Sequence, residues 1–238
     1  MAHGIVDEAQ RKAARVVGVC YLLTNAFGIF AVSYARGRLI VPDDAAQTAA
    51  NIITHETLFR LGIAGYLGAM LTDAALLTAL YVVLKRVDQN LALFAAVLRL
   101  VETVIGVVAT LESFDALQLM SGAENLQVFR PDQLQVLART PIAAFGAGVN
   151  VSFVFLGLGS AVFGYLWVKS GYVPQWLAVL GVFGSLLLAA GSLAIIIFPR
   201  IADWAEPAYM APMGIFELTM GFWLVIRGLR APARAESA

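Results

Sequence analysis

Asp73, Arg99, Glu102 and Glu217 each lie near the middle of a stretch of sequence apolar enough to cross a bilayer. A charge at bilayer depth costs roughly 2.5–3.5 kcal/mol on insertion scales, so each of the four needs a partner, a proton or a wet cavity. Three carboxyls face one guanidinium, and leaving all three ionised in a low-dielectric site is expensive. At least one is therefore expected to carry a proton near neutral pH. Arg99 stays charged and is expected to hold Asp73 or Glu217. A protonatable carboxyl beside a fixed arginine is what binding a small molecule or lipid headgroup in step with a proton would require.

A second, shallower polar set consists of His55, Glu56, Arg60, Glu112 and Asp115. Glu56 and Arg60 are spaced i,i+4 in the favourable order, and the expected reading of the set is snorkelling to the headgroups. His55 beside Glu56 does not make a metal site, because HETLF is not HExxH and no second histidine is near. Gly157, Gly159 and Gly164 lie inside an apolar run with no Lys-Ser/Thr after them, which excludes a phosphate loop. Neither a metal nor a cofactor is expected. Ser113, near Glu112 and Asp115, is a nucleophile without a histidine, so an intramembrane enzyme is the least supported class.

The elements that must position these residues follow from composition. The chain has 238 residues, 60% hydrophobic and 13% charged, with a mean hydropathy of +0.80. That balance points to lipid as the solvent and to one membrane domain over residues 1–238. The formal net charge is zero, so nothing suggests nucleic acid. Cys20 is the sole cysteine, which rules out an internal disulfide. Runs of spanning length occur at Ala14–Tyr34, Leu61–Val83, Leu91–Leu111, Ile142–Val168, Pro174–Phe198 and Ala208–Ile226. They lack period-two alternation, so the fold class is all-α, a polytopic bundle of six helices.

Between the spans, Asp44 with Gln47 three residues on predicts a short interfacial helix leading into the second span. Arg130-Pro131-Asp132 predicts another over QLQVLAR, ended by Pro141. Gly171 and Pro174 predict a tight turn before the fifth span. Tyr172 and Trp176 suit one aromatic belt, Trp204 and Tyr209 the other.

At 1.5 Å per residue, Arg99 and Glu102 lie roughly 12 and 16 Å from one end of their helix, and Asp73 and Glu217 roughly 15 and 14 Å from the ends of theirs. Asn25 reaches a comparable depth on the first span. Arg99 and Glu102 share a face with Gly106, Asp73 with Tyr66 and Met70, and Glu217 with Gly214 and Gly221. The glycines at 214 and 221 are expected to let a neighbouring helix come close, as are Gly62, Gly65 and Gly68.

The motif VPxDAxxTAxNI with HETLFRLG, the RLVE of Arg99 to Glu102, the stretch GLGSAVFGYLWVKSGYVPQWLAVLG and the late Glu217 resemble the bacterial multi-pass family named domain of unknown function forty-three eighty-six. The resemblance runs from Ala14 to about Gly228 and implies a small integral membrane protein of a bacterial inner membrane. It implies no activity. One departure is that family members often carry a His or Tyr near the start of the fourth span, where this chain reads TPIAAFGAGVN.

Two function classes remain. In the first, Asp73, Arg99, Glu102, Glu217 and Asn25 bind a small molecule or lipid headgroup, with proton linkage. Six spans are few for a carrier, so this reading allows a homo-oligomer. In the alternative, the protein is a non-catalytic scaffold or sensor subunit and the charges are a structural ion-pair network. For orientation, Arg11, Lys12, Arg15, Lys85, Arg86, Lys169, Arg227, Arg230 and Arg234 fall on one side, so both termini are expected to be cytoplasmic. In a Cys20→Ser background, an impermeant thiol reagent on intact cells should label Asn125→Cys and spare Asn90→Cys. The reverse pattern would overturn the orientation.

Overall fold

Helix formation begins at Asp7. Its carboxylate accepts the Gln10 backbone N–H at 2.7 Å while the Gln10 side chain accepts the Asp7 N–H at 3.3 Å, a reciprocal cap that opens α1, Glu8–Gly28. This is a computed structural model, and it describes residues 6–120 and 130–230. His3, Arg234, residues 121–129 with Asn125, and the Trp204 side chain lie outside the described residues. The remaining helices are α2 (Ala45–Thr54), α3 (Glu56–Leu84), α4 (Gln89–Met120), α5 (Pro131–Ser170), α6 (Gln175–Ile197) and α7 (Ala202–Ile226). All but α2 are long and apolar enough to span a membrane, and no strand occurs among the described residues.

Each spanning helix packs against its neighbours in the chain, and α1 also packs against α7, so the six close into a ring. Leu71, Phe94, Phe183 and Phe222 point outward and are more than half exposed, the pattern of helices whose outer face meets lipid. Both ends of the described chain lie at the basic end of the ring. There Arg86 pairs with Asp7, Lys169 lies 3.4 Å from Asp88, and the Arg230 N–H donates to the Tyr172 carbonyl at 2.7 Å. The N–H of Leu91, and then Lys169, hold the Asp88 carboxyl below its ordinary range. A large core of Leu80, Leu84, Trp167, Leu177 and Phe216 fills this half of the bundle.

The other half holds the departures from expectation. α1 does not continue as an α-helix to Tyr34. It widens into a π-helix over Ile29–Arg36 before a last turn at Gly37–Leu39. Ala31 and Ala35, four apart, lie on one face of this segment. Both are fully buried against α3, where a Cβ on Gly62 would meet the Ala35 Cβ at 2.9 Å. Gly65 and Gly68 likewise receive Phe30 and Phe27, so the three-residue glycine repeat is the seat of this packing.

Asp44 does cap α2, accepting the Gln47 N–H at 2.8 Å. The second short helix is not separate. Pro141 does not end it, and α5 runs on as one helix of 40 residues. A proline inside a helix withholds one hydrogen bond from the carbonyl four residues back. Here that residue is Leu137, on an exposed turn where water or headgroups can replace the missing donor. Tyr172 and Tyr209 are core residues, not belt residues, at 7% and 4% exposure. Tyr172 is drawn inward beneath Gln10, whose amide reaches its hydroxyl at 3.4 Å and the Val83 carbonyl at 3.0 Å. Pro174 is the cap residue of α6, not its first turn.

Close backbone approach is most severe between α5 and α6. A Cβ on Gly157 would lie 2.5 Å from the Ser185 carbonyl oxygen and 2.7 Å from the Ala189 nitrogen, both rigid backbone atoms. Gly157→Ala should therefore cost about 1–3 kcal/mol as overpacking, read as a lower unfolding midpoint in detergent. Gly146→Ala, where a Cβ meets nothing within 4 Å, should cost nothing.

Candidate functional site

Helix α3 brings Asp73 to the centre of the ring, where its side chain is 2% exposed. One carboxylate oxygen accepts a hydrogen bond from Arg99 Nη2 on α4, and the other accepts from Thr103 Oγ at 2.8 Å. Arg99 Nη1 donates to Ser160 Oγ on α5 at 3.2 Å. Asp73 and Arg99 are thus a buried pair tied to three helices. Of the two partners the sequence allowed for Arg99, Asp73 is the one it has.

Glu102 is 4% exposed and less well held. Its oxygen lies 3.8 Å from Arg99 Nε and 3.5 Å from the Thr103 hydroxyl, whose single proton is already committed to Asp73 at the shorter distance. Across the ring, Glu217 on α7 accepts from Asn25 Nδ2 on α1 at 2.9 Å. The same amide nitrogen also donates to the Tyr21 carbonyl at 2.9 Å, so both of its hydrogens are used.

Between these two polar sides lies a cavity of about 250 Å³. All five deep residues singled out in the sequence border it: Asn25, Asp73, Arg99, Glu102 and Glu217. The rest of the wall is chiefly apolar, with Met70, Phe153, Leu156, Leu188 and Met213 among its lining. The site thus joins a few charged groups to a mainly hydrocarbon wall. That is the general character of small-molecule pockets, though at roughly 300–1,000 Å³ most of those are larger.

The shallower set does not border the cavity. Glu56 and Arg60 form an exposed pair at 2.7 Å within one helix, His55 is the exposed junction of α2 and α3, and Asp115 is exposed with Glu112 half-buried.

Arg36 lies beyond Tyr34, the expected end of the first span, and was not singled out in the sequence. At the end of the π-helix it turns inward, donates to Ser113 Oγ at 3.0 Å, and stacks over the Phe145 ring at 3.8 Å. Phe145 meets Tyr66 edge-on at 5.1 Å. These side chains form an aromatic layer near the end of the cavity remote from the basic end. Phe145 belongs to the TPIAAFGAGVN stretch, where a His or Tyr was the expected residue. Glu206, at the cavity's exposed margin, and Ser160 were also missed. Neither carries a local signal, because each matters only through the neighbour it meets.

The family described as Domain of unknown function (DUF4386) matches residues 16–228, and the chain belongs to that family. An uncharacterized protein of Archaeoglobus fulgidus is 25% identical over 170 residues, which cover 70% of this chain and 83% of that relative. No solved structure matches the chain.

Removing one partner of a buried ion pair leaves an uncompensated charge and costs about 3–5 kcal/mol. Arg99→Leu should lower the unfolding free energy in detergent by that order, and adding Asp73→Asn should recover part of it. Strict additivity of the two changes would remove the pairing.

Proposed function

We propose that this member of the family binds a small molecule or lipid headgroup at Asn25, Asp73, Arg99, Glu102 and Glu217, with a proton exchanged on the carboxyls. It does so in a cytoplasmic membrane, a bacterial inner membrane by the resemblance, with both termini on the cytoplasmic side. One observation carries this reading: a cavity of about 250 Å³ lies at mid-depth and is bordered by every one of those five side chains. A network that served only to fix helix register would be closest to its purpose with no void beside it.

The cluster divides in two. Asp73 and Arg99 neutralise each other and are further held by Thr103 and Ser160. Glu102 and Glu217 have no guanidinium of their own. The groups that face them are Asp73 and Tyr66 from α3, Arg99 from α4, Asn25 and Tyr21 from α1, and Glu206 from α7. Only Arg99 among these is a cation, and Asp73 already claims it. A proton on Glu102 or Glu217, or a ligand that brings positive charge, balances the site.

The scaffold reading is favoured by the pairing of Asp73 with Arg99, which needs no ligand. It leaves Glu102, Glu217 and the cavity unexplained. Infrared spectroscopy on purified protein at pH 7 decides between the two. A buried protonated-carboxyl band is expected, reduced in Glu102→Gln or Glu217→Gln while the fold is retained. A spectrum in which all three carboxyls are ionised, or a band that neither variant touches, would remove proton exchange and, where no ligand binds either, leave the scaffold.

A further inference from the structure

Two glycine pairs sit on the facing sides of α1 and α7, and they do opposite things. Nearer the basic end, a Cβ on Gly18 would lie 2.9 Å from the Gly221 carbonyl oxygen, and one on Gly221 would lie 2.9 Å from Leu22. The helices cross there in close contact. One turn beyond the Asn25–Glu217 hydrogen bond, a Cβ on Gly28 or on Gly214 would meet nothing within 4 Å. Both glycines border the cavity. Gly214 was expected to draw a neighbour in, as Gly221 does; it leaves a gap instead.

That gap is a way in from the side. The cavity's margin along the π-helix is exposed, with Ile29 at 56% and Val32 at 40%, and Glu206 is exposed across from it. The ends of the cavity are obstructed by packed core on the basic side and by the aromatic layer on the other. Between Gly28 and Gly214 the slot is flanked by the exposed, apolar Ile29 and Val32 at membrane depth, so there it opens to hydrocarbon, while Glu206 lies at the margin nearer the start of α7.

The hydrogen-bonding capacity left inside is chiefly that of acceptors. Asn25 has spent both amide hydrogens and keeps its oxygen. Glu217 and Glu102 keep carboxylate oxygens, and the buried Thr24 hydroxyl has no partner. The one spare nitrogen donor at the site, Arg99 Nε, lies 3.8 Å from Glu102. Acceptors and incompletely compensated carboxyls in an otherwise hydrocarbon wall call for a cationic head with several N–H groups on an apolar body.

We infer that the cavity takes a primary ammonium carried on an apolar chain, and that this molecule enters from the bilayer through the slot between Gly28 and Gly214. The inference rests on the ligand-binding reading above and names its ligand class and route. The ammonium sits between Glu217 and Glu102, and the chain lies along the Met and Leu wall or trails through the slot.

The test uses the full chain in phosphatidylcholine nanodiscs, with n-decylammonium as the probe and decyl sulfate and decanol as controls. Decylammonium should raise the unfolding midpoint saturably, and the two controls should not. Gly214→Leu and Gly28→Leu fill open space, so each should fold with an unchanged midpoint and lose most of the decylammonium shift. Glu217→Gln should weaken the response at least tenfold. Equal shifts from all three amphiphiles, or a full decylammonium shift in whichever glycine variant folds, would overturn the inference.

Failure of the two readings looks different. Decylammonium binding with no protonated-carboxyl band removes proton linkage and leaves the ligand class. A band that Gln variants reduce, with no preference for the ammonium, removes the ligand class and leaves the site. The same head occurs on free long-chain amines and on ethanolamine lipids. Replacing the bilayer with phosphatidylethanolamine tells them apart: loss of the decylammonium response assigns the lipid headgroup, and a retained response assigns the free amine.

Discussion

A guanidinium at the middle of a hydrocarbon slab has to be neutralised where it stands, and the arrangement of the central helices follows from how Arg99 achieves this. It cannot lose its proton, and at mid-depth it is far from the headgroups. Asp73 on α3 therefore comes to it, and Ser160 on α5 takes a second N–H. The consequence is register. Sliding α3 or α5 by one helical turn moves its side chains about 5.4 Å, enough to break either contact and leave a buried charge unpaired. An apolar interface among Leu, Ala and Gly tolerates such a slip far better, because lipid and protein are equally apolar there. The ion pair does for this bundle what a water-driven core does for a soluble one: it selects a single alignment.

With α3, α4 and α5 held in that way, the glycines decide where the ring is tight and where it is loose. Gly157 seats α5 on α6, and Gly62 seats the widened turn of α1 on α3. The crossing at Gly18 and Gly221 brings α1 and α7 together near the basic end, about 15 Å along α1 from Gly28. Beyond that crossing the two helices face each other across open space. The residue type is the same at both levels, so small side chains alone do not fix the spacing. What differs is the surroundings: beyond the crossing, α1 is seated on α3 through Ala31 and Ala35.

This explains which parts of the structure were legible in the sequence. Composition and run length give the six spans, because the bilayer imposes a length on every helix that crosses it. The depth of Asp73, Arg99, Glu102, Glu217 and Asn25 follows from counting residues, and all five do meet at one cavity. Helix packing was legible only halfway: Gly221 and Gly214 share one face of α7 but meet different surroundings. The π-helix was not legible, since IFAVSYAR contains nothing that forbids an α-helix. Arg36 was not singled out, because it lies past the apolar run that ends at Tyr34; its role shows only in its contacts with Ser113 and Phe145. Pro141 failed as a stop signal because an exposed turn can spare one hydrogen bond, and Tyr172 failed as a belt residue because Gln10 offers it a buried partner.

The remaining question is why the membrane interior holds more charge than the architecture uses. Asp73 and Arg99 suffice to fix register, and their contacts are satisfied by Thr103 and Ser160. Glu102 and Glu217 add two acidic groups at bilayer depth. A glutamine in either place would keep the shape, and in Glu217's case the hydrogen bond from Asn25 could still be made to the amide oxygen. Each carboxyl therefore carries a cost that no observed contact fully offsets. Both face the same void, from opposite sides, and the side chains beside them offer oxygens more than hydrogens. An unbalanced group within a packed interior is strained; the same group on the wall of a cavity is available. The acids that the fold does not neutralise are thus the ones placed where a proton or a cation from the membrane can do so.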